Sequence, residues 1–131
     1  MNHLKFILVP LFILHTSLFS IGNSFTFPDR IQTAIKQGNA AELASFFNSS
    51  IELVILDDEH IYSKSQAEQI LKDFFRKYPP ESFIIIHEGG KEVSQYAIGK
   101  LKSSSNTFRI TIFLSKNSMI HQMRIEKDND V

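Results

Sequence analysis

The sequence predicts an α+β fold, with helices packed on a bent, mainly antiparallel sheet in the order ααββαββββ. Three observations lead there. Residues 28–47 hold two short apolar-faced segments, each with a helix-start signal. Residues 67–78 hold one broad stripe at helical spacing. From residue 82 onward the chain changes to β-branched and aromatic runs divided by Gly, Ser and Asn, as in a meander of strands.

Ahead of these elements, Met1 to Lys5 is a short basic start, and Phe6 to Ile21 is an apolar run interrupted by Pro10. Ser20, Gly22 and Ser24 supply small side chains, so cleavage after Gly22 or Ser24 fits a secretory signal peptide. The run is long enough to resemble a short membrane span, but Pro10 breaks it and no stop-transfer charge cluster follows. Residues 1–24 are therefore expected to be a signal peptide and 25–131 a single exported domain, periplasmic or secreted, with no stable membrane insertion after cleavage.

Pro28 and Asp29 open the first helix, its apolar positions are Ile31, Ala34 and Ile35, and Gly38 stops it. Asn39 caps the second, with Glu42 placed to reach back as in a capping box, and Ala40, Leu43, Ala44 and Phe47 form its buried face. Ile51 to Leu56 reads as a strand, Asp57 to His60 as a turn, and Ile61–Tyr62 as a short return strand. Ser65 with Glu68 marks the start of the third helix. Its stripe is Ala67, Ile70, Leu71, Phe74, Phe75 and Tyr78, and Pro79–Pro80 ends it.

Four strands follow, roughly 82–88, 91–102, 107–115 and 119–126, with turns at Gly89-Gly90, Ser103 to Asn106 and Asn117-Ser118. Even-numbered loops pair 84 with 95, 95 with 114, and 114 with 121. The inner face then collects Ile84, Ile86, Val93, Ala97, Leu101, Phe108, Ile110, Ile112, Leu114, Met123 and Ile125. Gly99 faces Ile110 and Ala97 faces Ile112, small against large. One bulge would flip part of this assignment.

The composition removes several function classes. Fourteen basic and fourteen acidic residues cancel, so no field holds a nucleic-acid backbone. With no cysteine there is no disulfide, thiolate nucleophile or cysteine-bound zinc, and stability rests on core burial, for which nine of the twelve Phe lie beyond residue 24. No Ser/His/Asp arrangement, phosphate-cradling glycine loop or nucleotide fingerprint occurs, and no cofactor or metal is expected. Asp57-Asp58-Glu59-His60 has metal-loving residue types without the alternate spacing of an oxygen-rich cation loop, and reads as a solvated turn. Asn48-Ser49-Ser50 matches a glycosylation sequon on what reads as a loop.

The two capped helices at 28–47, the Phe74-Phe75 helix and the string from Phe83 to Ile125 carry a family resemblance. Within that string stand Phe83-Ile-Ile-Ile-His87-Glu-Gly-Gly90, Tyr96-Ala-Ile-Gly99 and Phe108-Arg-Ile110. With the element order, they resemble an uncharacterised family of exported bacterial proteins with the nuclear-transport-factor-2-like fold. There, helices close one side of a strongly curved sheet to make a cone. The resemblance implies the fold across the mature chain and leaves activity open, since the fold hosts isomerases, dehydratases, transport factors and dimerisation modules. Its ketosteroid isomerases use an inward Asp base with a Tyr and a protonated acid. That constellation is not visible here, where only Glu88 has inward parity, beside the Gly89-Gly90 turn.

Two candidate sites remain. Gln95 and His121 fall in one inward row with Leu114, rimmed by Ile84 and Met123, and could anchor a small apolar ligand or act as base and donor. The plain alternative is a frayed sheet edge meeting water. On the outer face, Phe83, Tyr96 and Phe113 form a row flanked by Ile85, Ile98 and Ile120, with Lys100, Arg109, Gln122 and Arg124 as a polar rim. An aromatic patch on a face expected to be polar marks a contact surface, either for self-association as a homodimer or for the chain's own segment around Phe25 and Phe27. His87 belongs to the outward set, next to Glu92. The sequence favours a non-catalytic binding or dimerisation module, with a small-molecule binder or enzyme using the cone interior as the alternative.

Overall fold

A computed structural model describes residues 25–129; the expected signal peptide, 1–24, lies outside the described residues. Helix α1 spans Asp29–Gln37 and α2 Ala40–Ala44, β1 Phe47–Ile55, β2 Asp58–Ser63, and α3 Lys64–Lys77. The meander follows as β3 Ser82–Lys91, β4 Ser94–Ser103, β5 Asn106–Ser115 and β6 Ile120–Lys127. The six strands make one sheet in the order β2-β1-β6-β5-β4-β3, antiparallel throughout except where β1 runs parallel to β6. The expected α+β order is present.

The start signals explain the helices, with three revisions. Gly38 ends α1 in the left-handed region, φ 63°, where a side chain would be strained. The Asn39 side chain accepts from the Glu42 N–H, as expected, but the Glu42 carboxylate turns to Arg30 at 2.6 Å instead of closing a box. α2 stops at Ala44, and Phe47, expected on that helix, is the first buried residue of β1. α3 begins one cap earlier than Ser65 and Glu68 indicate. Ser63 and Gln66 form the reciprocal capping box, because β2 runs directly into the helix and Ser63 is the last extended residue.

β1 is longer than its apolar run, and the sequon at Asn48 lies within it rather than on a loop. The turn to β2 is only Leu56-Asp57, since Ile55 pairs with Asp58. Leu56 takes the positive φ of 56°, and Asp58 to His60 are strand residues.

The β4–β5 register is the expected one, with Gln95 opposite Leu114 and Gly99 opposite Ile110. The β3–β4 register is not. Its turn is Glu92-Val93, since Lys91 pairs with Ser94, and the glycine pair belongs to the strand. Gly89 sits opposite Tyr96, and a side chain on it would meet the phenol ring at 3.2–3.4 Å, so the missing Cβ makes room for that ring. A register shift between Ile85 and His87 then reverses the parity of the first half of β3. Phe83 and Ile85 face inward, while Ile84, Ile86 and the turn residue Val93 are exposed, against the expected inner placement of all three.

The remaining inner set is as expected: Ala97, Leu101, Phe108, Ile110, Ile112, Leu114, Met123 and Ile125 are all buried. They pack with Ile31, Ile35, Leu43 and the α3 stripe in one core. An edge-to-face group of Phe74, Tyr78 and Phe108, with centroids 4.8–5.2 Å apart, ties α3 to the sheet. Phe27 is fully buried, and its N–H donates to the Glu88 carboxylate at 2.8 Å. Residues 25–28 therefore close the concave side rather than lying on the outer face.

Candidate functional site on the outer sheet face

The concave side of the sheet is occupied by protein. Phe27, Phe47 and Phe108 are at most 1% exposed, and Phe74, Phe75 and Phe83 are buried with them. Glu88 faces this side, as its parity implied, and holds the backbone of Phe27. A pocket of about 630 Å³ lies elsewhere, between α2, the start of β1 and the first turn of α3, lined by Ala41, Ala44, Ser45, Ser49, Lys64 and Glu68.

Gln95 and His121 are not brought together. Gln95 keeps its inward register opposite Leu114 and is partly exposed at the end of β4. The β5–β6 ladder runs Phe113 to Gln122 and then Leu114 to Ile120, so His121 is the extra residue of a bulge. It is exposed, with its ring 6.2 Å from that of Phe113 on the outer face. The bulge arises because Ser115 closes the loop onto Met119 at 2.9 Å, which pulls Ile120 into the core in place of His121.

The outer patch keeps half of its expected members. Tyr96, Ile98 and Phe113 lie on the outer face and are partly exposed. Phe83, Ile85 and Ile120 do not. Phe83 and Ile120 are buried in the core, and Ile85 points inward opposite Gly99. Phe83 fits there because Gly99 has no side chain, and a Cβ at Gly99 would overlap the Phe83 ring. In their place the β3 bulge turns Ile84 (59% exposed) and Ile86 (46% exposed) outward, beside His87. The His87 partner is Tyr96, Nε2 to Oη at 2.8 Å, while Glu92 pairs with Lys116 at 3.7 Å.

The expected rim is in place on this face and is ion-paired. Asp128 is ion-paired with Lys100 at 3.2 Å and with Arg109 at 3.6 Å, and Arg124 meets Glu126 at 3.3 Å. Toward β1 and β2 the same face carries an acidic pair that the sequence reading missed. Glu52 pairs across to Gln122 and Ile61, and Glu59 pairs with Val54, so the two glutamates are diagonal neighbours. A hydrogen bond with Glu59, desolvation and the charge of Glu59 hold the Glu52 carboxyl above the usual glutamate range, against the pull of Arg124 and His121. Reading Leu56-Asp57 as a two-residue turn would have exposed this pairing. Among the described residues no group of His, Asp or Glu has the arrangement of a metal site.

Residues 28–126 match the family model described as Domain of unknown function (DUF4783). A DUF4783 family protein from Bacteroides uniformis is 29% identical, with a TM-score of 0.75 over 80% of this chain and 100% of its own. One from Bacteroides ovatus is 31% identical, with a TM-score of 0.73 over 79% of this chain and 96% of its own. A putative ketosteroid isomerase from Kribbella flavida shares the fold alone, at 8% identity and a TM-score of 0.57 over 79% of this chain and 76% of its own. The fold is the nuclear-transport-factor-2-like one. No curated protein matches the chain.

Proposed function

The chain belongs to the DUF4783 family, and we propose that it is an exported, non-catalytic assembly module whose copies associate through the outer face of the sheet. The observation that carries this reading is the contrast between the two faces. The concave side, where a cone fold would hold a ligand, is filled by its own Phe side chains. The convex side presents Ile84, Ile86, Tyr96, Ile98 and Phe113 to water, contrary to the polar alternation of a solvated sheet face.

A second copy is the favoured occupant on charge. The chain has no net charge to keep copies apart. The face carries bases on β4 and β5 (Lys100, Lys102, Arg109) and acids on β1, β2 and β6 (Glu52, Glu59, Glu126). A two-fold axis along the strands lays one half over the other, the self-complementary pattern of an isologous dimer.

The test uses protein exported by a bacterial host, its N terminus read by mass spectrometry. A start at Asn23 or Phe25 is expected from the signal sequence. Sedimentation equilibrium should then give a dimer at micromolar concentration, and Phe113→Asp a monomer that still unfolds cooperatively. A strictly monomeric wild type at high concentration would overturn the assembly reading, and retention of residues 1–24 would overturn the export reading.

A further inference from the structure

We propose that the Glu52–Glu59 pair makes this self-association proton-linked, the dimer tightening as the pair takes up a proton. The inference rests on the reading that copies meet through the outer face. It begins with where the pair lies. An ordinary specific interface covers about 800 Å² of each partner, a patch about 28 Å across. Six strands at about 4.8 Å spacing span about 24 Å. An interface seated on Tyr96, Ile98 and Phe113 therefore extends over β6 and β1 to the acidic pair.

The second observation is Val54. Its register with Arg124 and Glu59 puts it on the outer face, outside the core, yet it is only 4% exposed. By register, Glu52, Glu59 and Arg124 border it, so the two carboxyls stand beside an apolar floor that a docked partner would seal from water.

The charged groups facing Glu52 are Glu59 from β2 and Arg124 and His121 from β6, and Arg124 is shared with Glu126. Arg124, shared with Glu126, does not neutralise two adjacent carboxylates when a partner excludes water. One proton on the pair removes the repulsion and supplies the donor for a carboxyl–carboxylate hydrogen bond. The sign follows from burial on docking. A partner that excludes water disfavours the doubly charged pair, so the favourable contribution is present where the pair holds a proton and is lost as pH rises and the proton leaves. Covering the pair with a partner raises the proton affinity further, so association and proton uptake strengthen each other.

The experiment is sedimentation equilibrium of the exported protein at about pH 5.5 and about pH 7.5, for wild type, Glu59→Gln and Glu52→Gln. With one proton taken up per protomer on association, the wild-type dimer should weaken by about tenfold or more over that interval. Both glutamine variants should stay tight with a flattened dependence. A wild-type dimer equally tight at both pH values, or a slope that survives in both variants, overturns the proton linkage and leaves the assembly reading standing. A monomer at every pH overturns the assembly reading itself.

Discussion

Strand β5 places two phenylalanines five residues apart on opposite faces of one sheet, and they live in different worlds. Phe108 is fully buried, stacked edge-on to Phe74 and Tyr78 and paired across to Leu101. Phe113 is partly exposed, beside Tyr96, Gln122 and the His121 ring. The side chain and the backbone conformation are the same. What differs is the layer above each: helices and the Phe27 segment cover one face, and nothing among the described residues covers the other. Stability is therefore concentrated on the concave face, and the convex face is available for contacts outside the chain.

The contrast can be broken where it is strongest. Phe108→Ala should cost about 3–5 kcal/mol, because the cavity sits between α3 and the sheet and neither collapses into it. Chemical denaturation reads this directly, and a loss below about 1 kcal/mol would mean that the concave side is not a packed core. Gly99→Ala should cost about 1–3 kcal/mol by forcing the Phe83 ring out of its place. It sharpens the comparison further, since a displaced Phe83 would leave the core and loosen its edge, so the variant should also bind a hydrophobic dye. Phe113→Ala should change the unfolding free energy by less than about 1 kcal/mol in dilute solution, where only the monomer contributes. A large loss there would mean that the outer face is already part of the folding core.

The candidate site was harder to read than the fold, for reasons that can be located. The face of Tyr96, Ile98 and Phe113 is legible in the sequence because the β4–β5 hairpin has an even two-residue loop, Ser104-Ser105, and no bulge, so alternation alone decides it. Phe83, Ile85 and Ile120 were misplaced because each lies beyond an irregularity. The β3 bulge separates Phe83 and Ile85 from the Glu92-Val93 turn, and the His121 bulge separates Ile120 from the rest of β6. Local sequence marks neither bulge. Ile84-Ile85-Ile86 offers three equivalent side chains for either face, and His121 follows a loop that closes equally well one residue longer.

The sequence by itself determined the element order, the α1 stop at Gly38, the stripe of α3 and the inward residues of the last three strands between the Glu92-Val93 turn and the His121 bulge. These follow from periodicity, capping and glycine conformation, which act within a few residues. Only the tertiary structure decided which isoleucine of β3 meets water, that Phe27 plugs the cone against Glu88, and that Glu52 and Glu59 become neighbours. Those outcomes depend on volume and charge contributed by segments distant in the chain: the space over Gly99 that draws in Phe83, and the register that sets β2 against β1 and β1 against β6. No alternation pattern encodes them, because each is a property of two surfaces meeting and neither surface exists until the chain has folded.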